Sequence, residues 1–259
     1  MTWFEATVLI LSGILTGFIN TLAGGGSIIS LSLFLFLGLP ADIANGTNRI
    51  GVMAQTLTSS FNFGRKKVLN FKRGAWLGIP AVVGSVIGAQ IAADIDRHTF
   101  EKAIAIVLLM MIFFIVFKPS VWMGNAEKAE RKPGWIQLFF FFLIGLYGGF
   151  IQVGVGYFLL AALVLVAGFD LVKANALKVW VVLLYTPFAL VVFIKNGQVD
   201  WAFGLTHAIG NILGAYIASN MAVKRGSGFV KWVIIIVIMI TSGHLLGIYD
   251  FTTMYKNLF

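Results

Sequence analysis

The sequence has no cysteine at all. That excludes disulfides, thiolate metal sites and cysteine nucleophiles, and leaves the redox compartment undecided. Charge is scarce too: 11% of the 259 residues are Asp, Glu, Lys or Arg, against about a quarter in a soluble domain. Acidic groups are the scarcest. Glu5, Asp42, Asp94, Asp96, Glu101, Asp170 and Asp200 all fall near the ends of apolar segments, so no buried carboxylate of the kind proton-coupled carriers use is visible. A G-x-x-x-x-G-K-[ST] phosphate loop is missing, so drive by ATP would have to come from another chain. Ser27, His207 and His244 could be combined on paper into a serine–histidine pair. Without a G-x-S-x-G turn or a third orienting group they do not amount to an enzyme motif. No enzymatic activity, cofactor or metal is expected.

Apolar residues fill the space that charge leaves. They make up 59% of the chain, mean hydropathy is +0.93, and runs such as Ala103–Phe117, Leu138–Leu146 and Val230–Ile240 recur between short polar joints. This is the pattern of an all-α polytopic membrane protein. The start, Met1-Thr2-Trp3-Phe4-Glu5, lacks a basic n-region and a small-residue cleavage site, and reads as the beginning of a membrane helix. The formal charge of +9 sits in the joints, as the positive-inside rule expects, and not on a nucleic-acid-binding face.

An internal repeat organises the chain. Residues 18–92 align without a gap on 148–222, so that Gly24 falls on Gly154, Gly26 on Gly156, Gly38 on Gly168, Asn45 on Asn175, Thr56 on Thr186, Gly74 on Gly204 and Gly84 on Gly214. Two like halves in a lipid-soluble chain are the usual architecture of a transporter, with the substrate between them. The halves are taken as residues 1–118 and 135–259, joined by a cytoplasmic connection over 119–134.

Each half opens with a glycine-broken apolar stretch. Ala23-Gly24-Gly25-Gly26-Ser27 divides helices expected at 6–22 and 27–39, and Gly148-Gly149 with Gly154-Val155-Gly156 divides Trp135–Tyr147 from Tyr157–Ala167. Asp42–Phe63, Ala75–Ala93 and Thr99–Phe117 complete the first half; Leu171–Ile194, Ala202–Ala222 and Phe229–Ile248 complete the second. Counting each break once gives eight spans with parallel halves. Counting two segments per break gives ten, inverts the halves and puts the basic joints at 64–73, 118–133 and 223–231 all in the cytoplasm. The charges favour ten, although several segments are short for a crossing of about 20 residues.

The candidate substrate site follows from the breaks. Gly24, Gly25, Gly26 and Ser27 in one half, and Gly154 and Gly156 in the other, precede restarting helices whose free N–H groups suit an anion. Arg49 and Lys178 sit one residue apart in the repeat register, each about 12 Å into its helix. With no acidic residue inside either helix, an anionic ligand is the natural partner for both; the bland reading is that they snorkel to the interface. Asn45 and Asn175 are paired by the repeat. Thr47 and Gln152, with Asn20, Gln55, Thr56, Thr186 and Asn211, are neutral polar residues that could complete the site, although each more readily bonds another helix. His207 shares a face with Asn211 and reads best as a satisfied structural histidine.

Gly17-Phe18-Ile19-Asn20-Thr21-Leu22-Ala23-Gly24-Gly25-Gly26-Ser27, Gly38-Leu39-Pro40 and Ala44-Asn45-Gly46-Thr47-Asn48, with Asn196-Gly197-Gln198-Val199-Asp200-Trp201 in the second half, resemble the TauE/SafE sulfite-exporter family of bacterial permeases. The resemblance implies a multi-pass inner-membrane transporter for sulfite, sulfonates or related small anions. The second half departs from the usual pattern, with Gly154-Val155-Gly156 in place of a fuller glycine run and Leu177-Lys178 where small hydroxyl residues are common. Expected partners are therefore a small anion and the lipid bilayer, with self-association open.

Overall fold

A computed structural model describes residues 1–96, 98–100, 102 and 134–245. Nearly all of the expected segment Thr99–Phe117 and of the connection 119–134, and the last residues of Phe229–Ile248, lie outside that set. The described residues form eight helices and no strand. They are α1 (Trp3–Leu22), α2 (Ser27–Phe36), α3 (Ala41–Arg65) and α4 (Phe71–Asp94), then α5 (Trp135–Phe150), α6 (Val155–Ala161), α7 (Leu171–Lys195) and α8 (Trp201–Leu245). A short π-helical stretch, Ala162–Val166, prolongs α6.

The starts have local causes. Thr2 and Glu5 form a capping box on α1, Asn70 accepts from the Arg73 N–H to open α4, and Asp170 accepts from Val172 and Lys173 to open α7; each satisfies N–H groups that a helix leaves unpaired. Left-handed backbone marks the turns at Gly24 (φ 97), Gly38 (φ 89) and Lys67 (φ 57). It returns 130 residues on at Gly154 (φ 73), Gly168 (φ 80) and Gly197 (φ 67).

Several boundaries differ from the sequence expectation: α2 stops at Phe36 and not at Leu39, α4 begins at Phe71 and not at Ala75, and two further differences bear on the site and the joints. Gly148 and Gly149 are helical, because both lie on the face of α5 buried inside the protein, and the chain leaves the helix only at Ile151. The expected joint 223–231 is shorter than read: Gly226 (φ 72, ψ −171) alone is non-helical, and the kink there divides α8 into the two helices expected on either side of it. No proline or long polar run is present there to unwind more.

Among the described residues, α1, α4 and α7 are each long and apolar enough to cross a membrane. Their outer faces carry exposed Leu11, Leu15, Ile79, Val83, Phe188 and Val191, while Asn45, Thr47, Asn48, Arg49, Asn175 and Lys178 are buried. An apolar exterior over a polar interior is the reverse of a soluble domain and fits lipid.

Glycine sets the packing. On α8, Gly210 and Gly214 lie against the backbone of α1 at Ile10 and Ile14; on α4, Gly84 and Gly88 lie against α5 at Phe142 and Leu146. Small residues let helix backbones touch where lipid supplies no hydrophobic drive. The central pair, α3 and α7, runs antiparallel. Gly46 lies beside Phe193, Ile50 packs with Leu190, and further along Thr56 and Val182 line one cavity.

Candidate functional site

The two breaks meet. Gly24 and Gly156 touch so closely that a methyl group on either would overlap the other's Cα. A substrate approaching there would face bare backbone. Gly25 faces the ring of Tyr157, and Gly26 lies against the Thr16 carbonyl of α1. Asn20 holds the first break together: its Oδ1 accepts from the Ser27 N–H at 3.2 Å and its Nδ2 donates to Ser27 Oγ at 3.1 Å. The first N–H of α2 is therefore already taken by a side chain.

Each break is tied to the central helix of the other half by a cation. Lys178 of α7 donates to the carbonyls of Asn20 and Thr21 at the end of α1, at 2.9 and 3.0 Å, and to Asn175 Oδ1 at 2.7 Å. Arg49 of α3 donates to the carbonyls of Gly148 and Gly149 at the end of α5, at 3.0 and 2.6 Å. Both are cations at helix C-termini, where unpaired carbonyls carry roughly half a unit of negative charge. Lys178 is 2% exposed and Arg49 0%, and neither forms an ion pair among the described residues. By this count about half a positive charge is left over at each tie.

A cavity of about 20 Å³ lies at the contact, lined by Asn20, Gly24, Ser27, Gln55, Thr56, Gln152, Gly156 and Lys178, with Val179 and Val182. That is room for one water and no larger solute, so the chain is closed around its centre in this conformation. Asn20 Nδ2 reaches Gln55 Oε1 at 3.5 Å and Gln152 pairs with Tyr185 at 3.0 Å. Positions 55 and 185 correspond in the repeat, so each half braces its own break from the same place on its central helix.

Five of the residues picked from the sequence line this cavity: Gly24, Ser27, Gln152, Gly156 and Lys178. Gly25, Gly26 and Gly154 shape the breaks around it. Asn175 acts through Lys178. Arg49, Asn45 and Thr47 lie off the cavity wall: Arg49 caps α5, Asn45 Nδ2 donates to the Phe150 carbonyl at 3.0 Å, and Thr47 Oγ1 accepts from the Asp200 N–H at 2.8 Å. Asn20, Gln55 and Thr56 were weaker sequence candidates yet contribute to the wall. The repeat register could have found Gln55, since it falls on Tyr185. His207 Nδ1 donates to the Leu9 carbonyl at 3.0 Å and lies 3.3 Å from Ser12 Oγ, away from Ser27.

Apolar spans around a polar, doubly broken centre define a polytopic membrane transporter, multi-pass in the cell membrane. The family model for the sulfite exporter TauE/SafE matches residues 9–245. The chain belongs to that family. It is 28% identical over 233 residues to a probable membrane transporter protein of Haemophilus influenzae, covering 88% of this chain and 89% of the relative. The probable membrane transporter protein YfcA of Escherichia coli is 26% identical over 240 residues, covering 92% and 88%. The probable membrane transporter protein YunE of Bacillus subtilis is 22% identical over 262 residues, covering 89% and 94%. No solved structure matches the chain.

Proposed function

We propose that the protein carries a small anion, sulfur-containing or organic, such as sulfite or a sulfonate, across the bacterial inner membrane. The anion would sit where the two breaks meet, against Lys178, Ser27, Gln152 and the backbone at Gly24 and Gly156. The observation that carries this reading is the pair of buried cations, Arg49 and Lys178, whose partners are helix-end carbonyls, the Asn175 amide and the Phe193 ring, with no carboxylate partner among the described residues. A residual positive centre inside lipid calls for an anion.

The carrier consists of two inverted repeats, 1–118 and 135–259, that exchange access by rocking about α3 and α7. The antiparallel course of those two helices favours ten segments over eight, because eight would run them parallel. The recurrence of left-handed backbone at an offset of 130 residues favours equivalent halves. The basic joint 64–73 is assigned to the cytoplasm on charge. An inside-negative potential then drives anion export by about 2.3 kcal/mol per charge per 100 mV, with no need for a coupling carboxylate.

One observation favours a second reading, a carrier for a neutral small solute with both cations structural. Lys178 spends all three N–H groups on protein acceptors, leaving none for a ligand in this conformation. Uptake of radiolabelled sulfite, sulfate, thiosulfate and taurine into proteoliposomes separates the two. Saturable flux of one of these anions, driven by an imposed potential, is expected. Flux of none of them, with uptake of neutral solutes intact, would refute the anion reading.

A further inference from the structure

A second pocket lies between the turn that joins α3 to α4 and the first turns of α7. It is an open depression of about 650 Å³, and Lys67, Asn70, Lys72 and Lys173 line it above an apolar floor that includes Phe169 and Leu177. That volume falls in the range of small-molecule sites. Phe169 is 3% and Leu177 1% exposed, so the floor is part of the protein interior. Leu177 is also the neighbour in sequence of Lys178, which lines the central cavity. The basic pocket and the central cavity are thus lined by successive residues of α7.

The turn itself indicates that the pocket is built for its charge. Lys67 holds left-handed backbone (φ 57) while its N–H donates to Gly64 O and the Val68 N–H to Phe63 O. The corresponding turn 130 residues on makes the same two bonds, Gly197 to Ile194 O and Gln198 to Phe193 O, with φ 67 at Gly197. Glycine takes that conformation without strain and lysine does not. Where glycine would serve the backbone better, a lysine is kept facing the pocket. Strained residues of this kind cluster where a side chain has a task. Lys173 pairs with Asp170 at 3.8 Å, so Lys67 and Lys72 carry most of the wall's positive charge.

We propose that this pocket binds an oxyanion of the sulfite or phosphate class at the cytoplasmic face, and is the station from which the translocated anion reaches the cavity at Lys178. The station role rests on the transport reading above; the oxyanion site does not. The same chemistry could be supplied by the phosphate of an anionic lipid, and the test separates the sources.

Titration calorimetry in neutral detergent would follow sulfite and, separately, short-chain phosphatidylglycerol. The variants are Lys67→Gly, the triple Lys67→Gln/Lys72→Gln/Lys173→Gln, and the control Lys224→Gln/Arg225→Gln. The triple variant is expected to weaken sulfite binding about tenfold, with the control unchanged. Lys67→Gly is expected to weaken it about threefold while raising the thermal midpoint, a combination that misfolding cannot produce. Loss of phosphatidylglycerol binding with sulfite unaffected would keep the oxyanion site, assign it to lipid and overturn the station. Unchanged binding of both ligands in the triple variant would overturn the site. A wild type that binds sulfite through these lysines but moves none in proteoliposomes would refute transport and leave the pocket standing.

Discussion

The two broken ends at the centre do the same job with different chemistry. At the end of α1, Lys178 uses all three of its N–H groups, two on carbonyls and one on Asn175 of its own helix, and it lines the cavity. At the end of α5, Arg49 uses one bond to each of two carbonyls, lies 4.5 Å from the Phe193 ring, and leaves its buried Nε without a partner among the described residues. A lysine is a compact point charge with three donors, whereas an arginine is a rigid fork with five. The first tie is thus saturated and next to the cavity. The second is set back from it and keeps donors in reserve. Opening the cavity to a ligand would have to break bonds at Lys178, while Arg49 can hold α5 throughout. On the proposed transport cycle the Lys178 tie is the one that has to move and the Arg49 tie the one that can stay fixed.

The sharpest way to break this comparison is to remove each charge. Lys178→Met is expected to lower anion flux about a hundredfold, equivalent to about 2.7 kcal/mol, while Arg49→Met acts mainly on stability. Flux and thermal midpoint measured side by side would show it, and the opposite order would reverse the assignment of moving and fixed ties. Next in size are the glycines. Gly156→Ala forces a methyl into Gly24 and is expected to destabilise by about 1–3 kcal/mol. Gly24→Ala adds left-handed strain of about 1–2 kcal/mol and should be worse. Gly38→Ala is a control for strain alone, since nothing lies within 4 Å of its added methyl. Arg49→Lys comes third: an ammonium cannot span Gly148 and Gly149 and stack on Phe193 at once, so flux is expected to fall about fivefold through instability of α5. Phe193→Leu is the smallest change, about 0.5–1 kcal/mol of cation–π attraction, visible as a small drop in thermal midpoint with little change in flux.

Much of this arrangement could be read from residue pattern. The glycines mark where backbone must turn or touch, and they reported the breaks at Gly24 and Gly154; the repeat pairs Gly38 with Gly168, but the helix expected over 27–39 runs past the turn at Gly38. Uncompensated charges in apolar helices singled out Arg49 and Lys178. Their partners could not be foreseen, because they are carbonyls, which every residue has and no side-chain pattern announces. The same limit hid the packing role of Gly148 and Gly149: a glycine that breaks a helix and one that admits a neighbouring backbone look alike in sequence. Lys67 was invisible for a related reason, since only its backbone angle and its correspondence with Gly197 set it apart from the other joint lysines.

The absence of cysteine makes the central claim directly testable. Ser27→Cys places one thiol in the wall of the cavity where the breaks meet. In oriented proteoliposomes its reaction with a membrane-impermeant thiol reagent would be followed from each side in turn, with and without a simple alkanesulfonate, which unlike sulfite does not consume the reagent. If the anion is carried through this cavity by alternating access, the thiol reacts from both sides and the sulfonate slows both reactions. A thiol that reacts from one side only, at a rate the sulfonate does not alter, would contradict it.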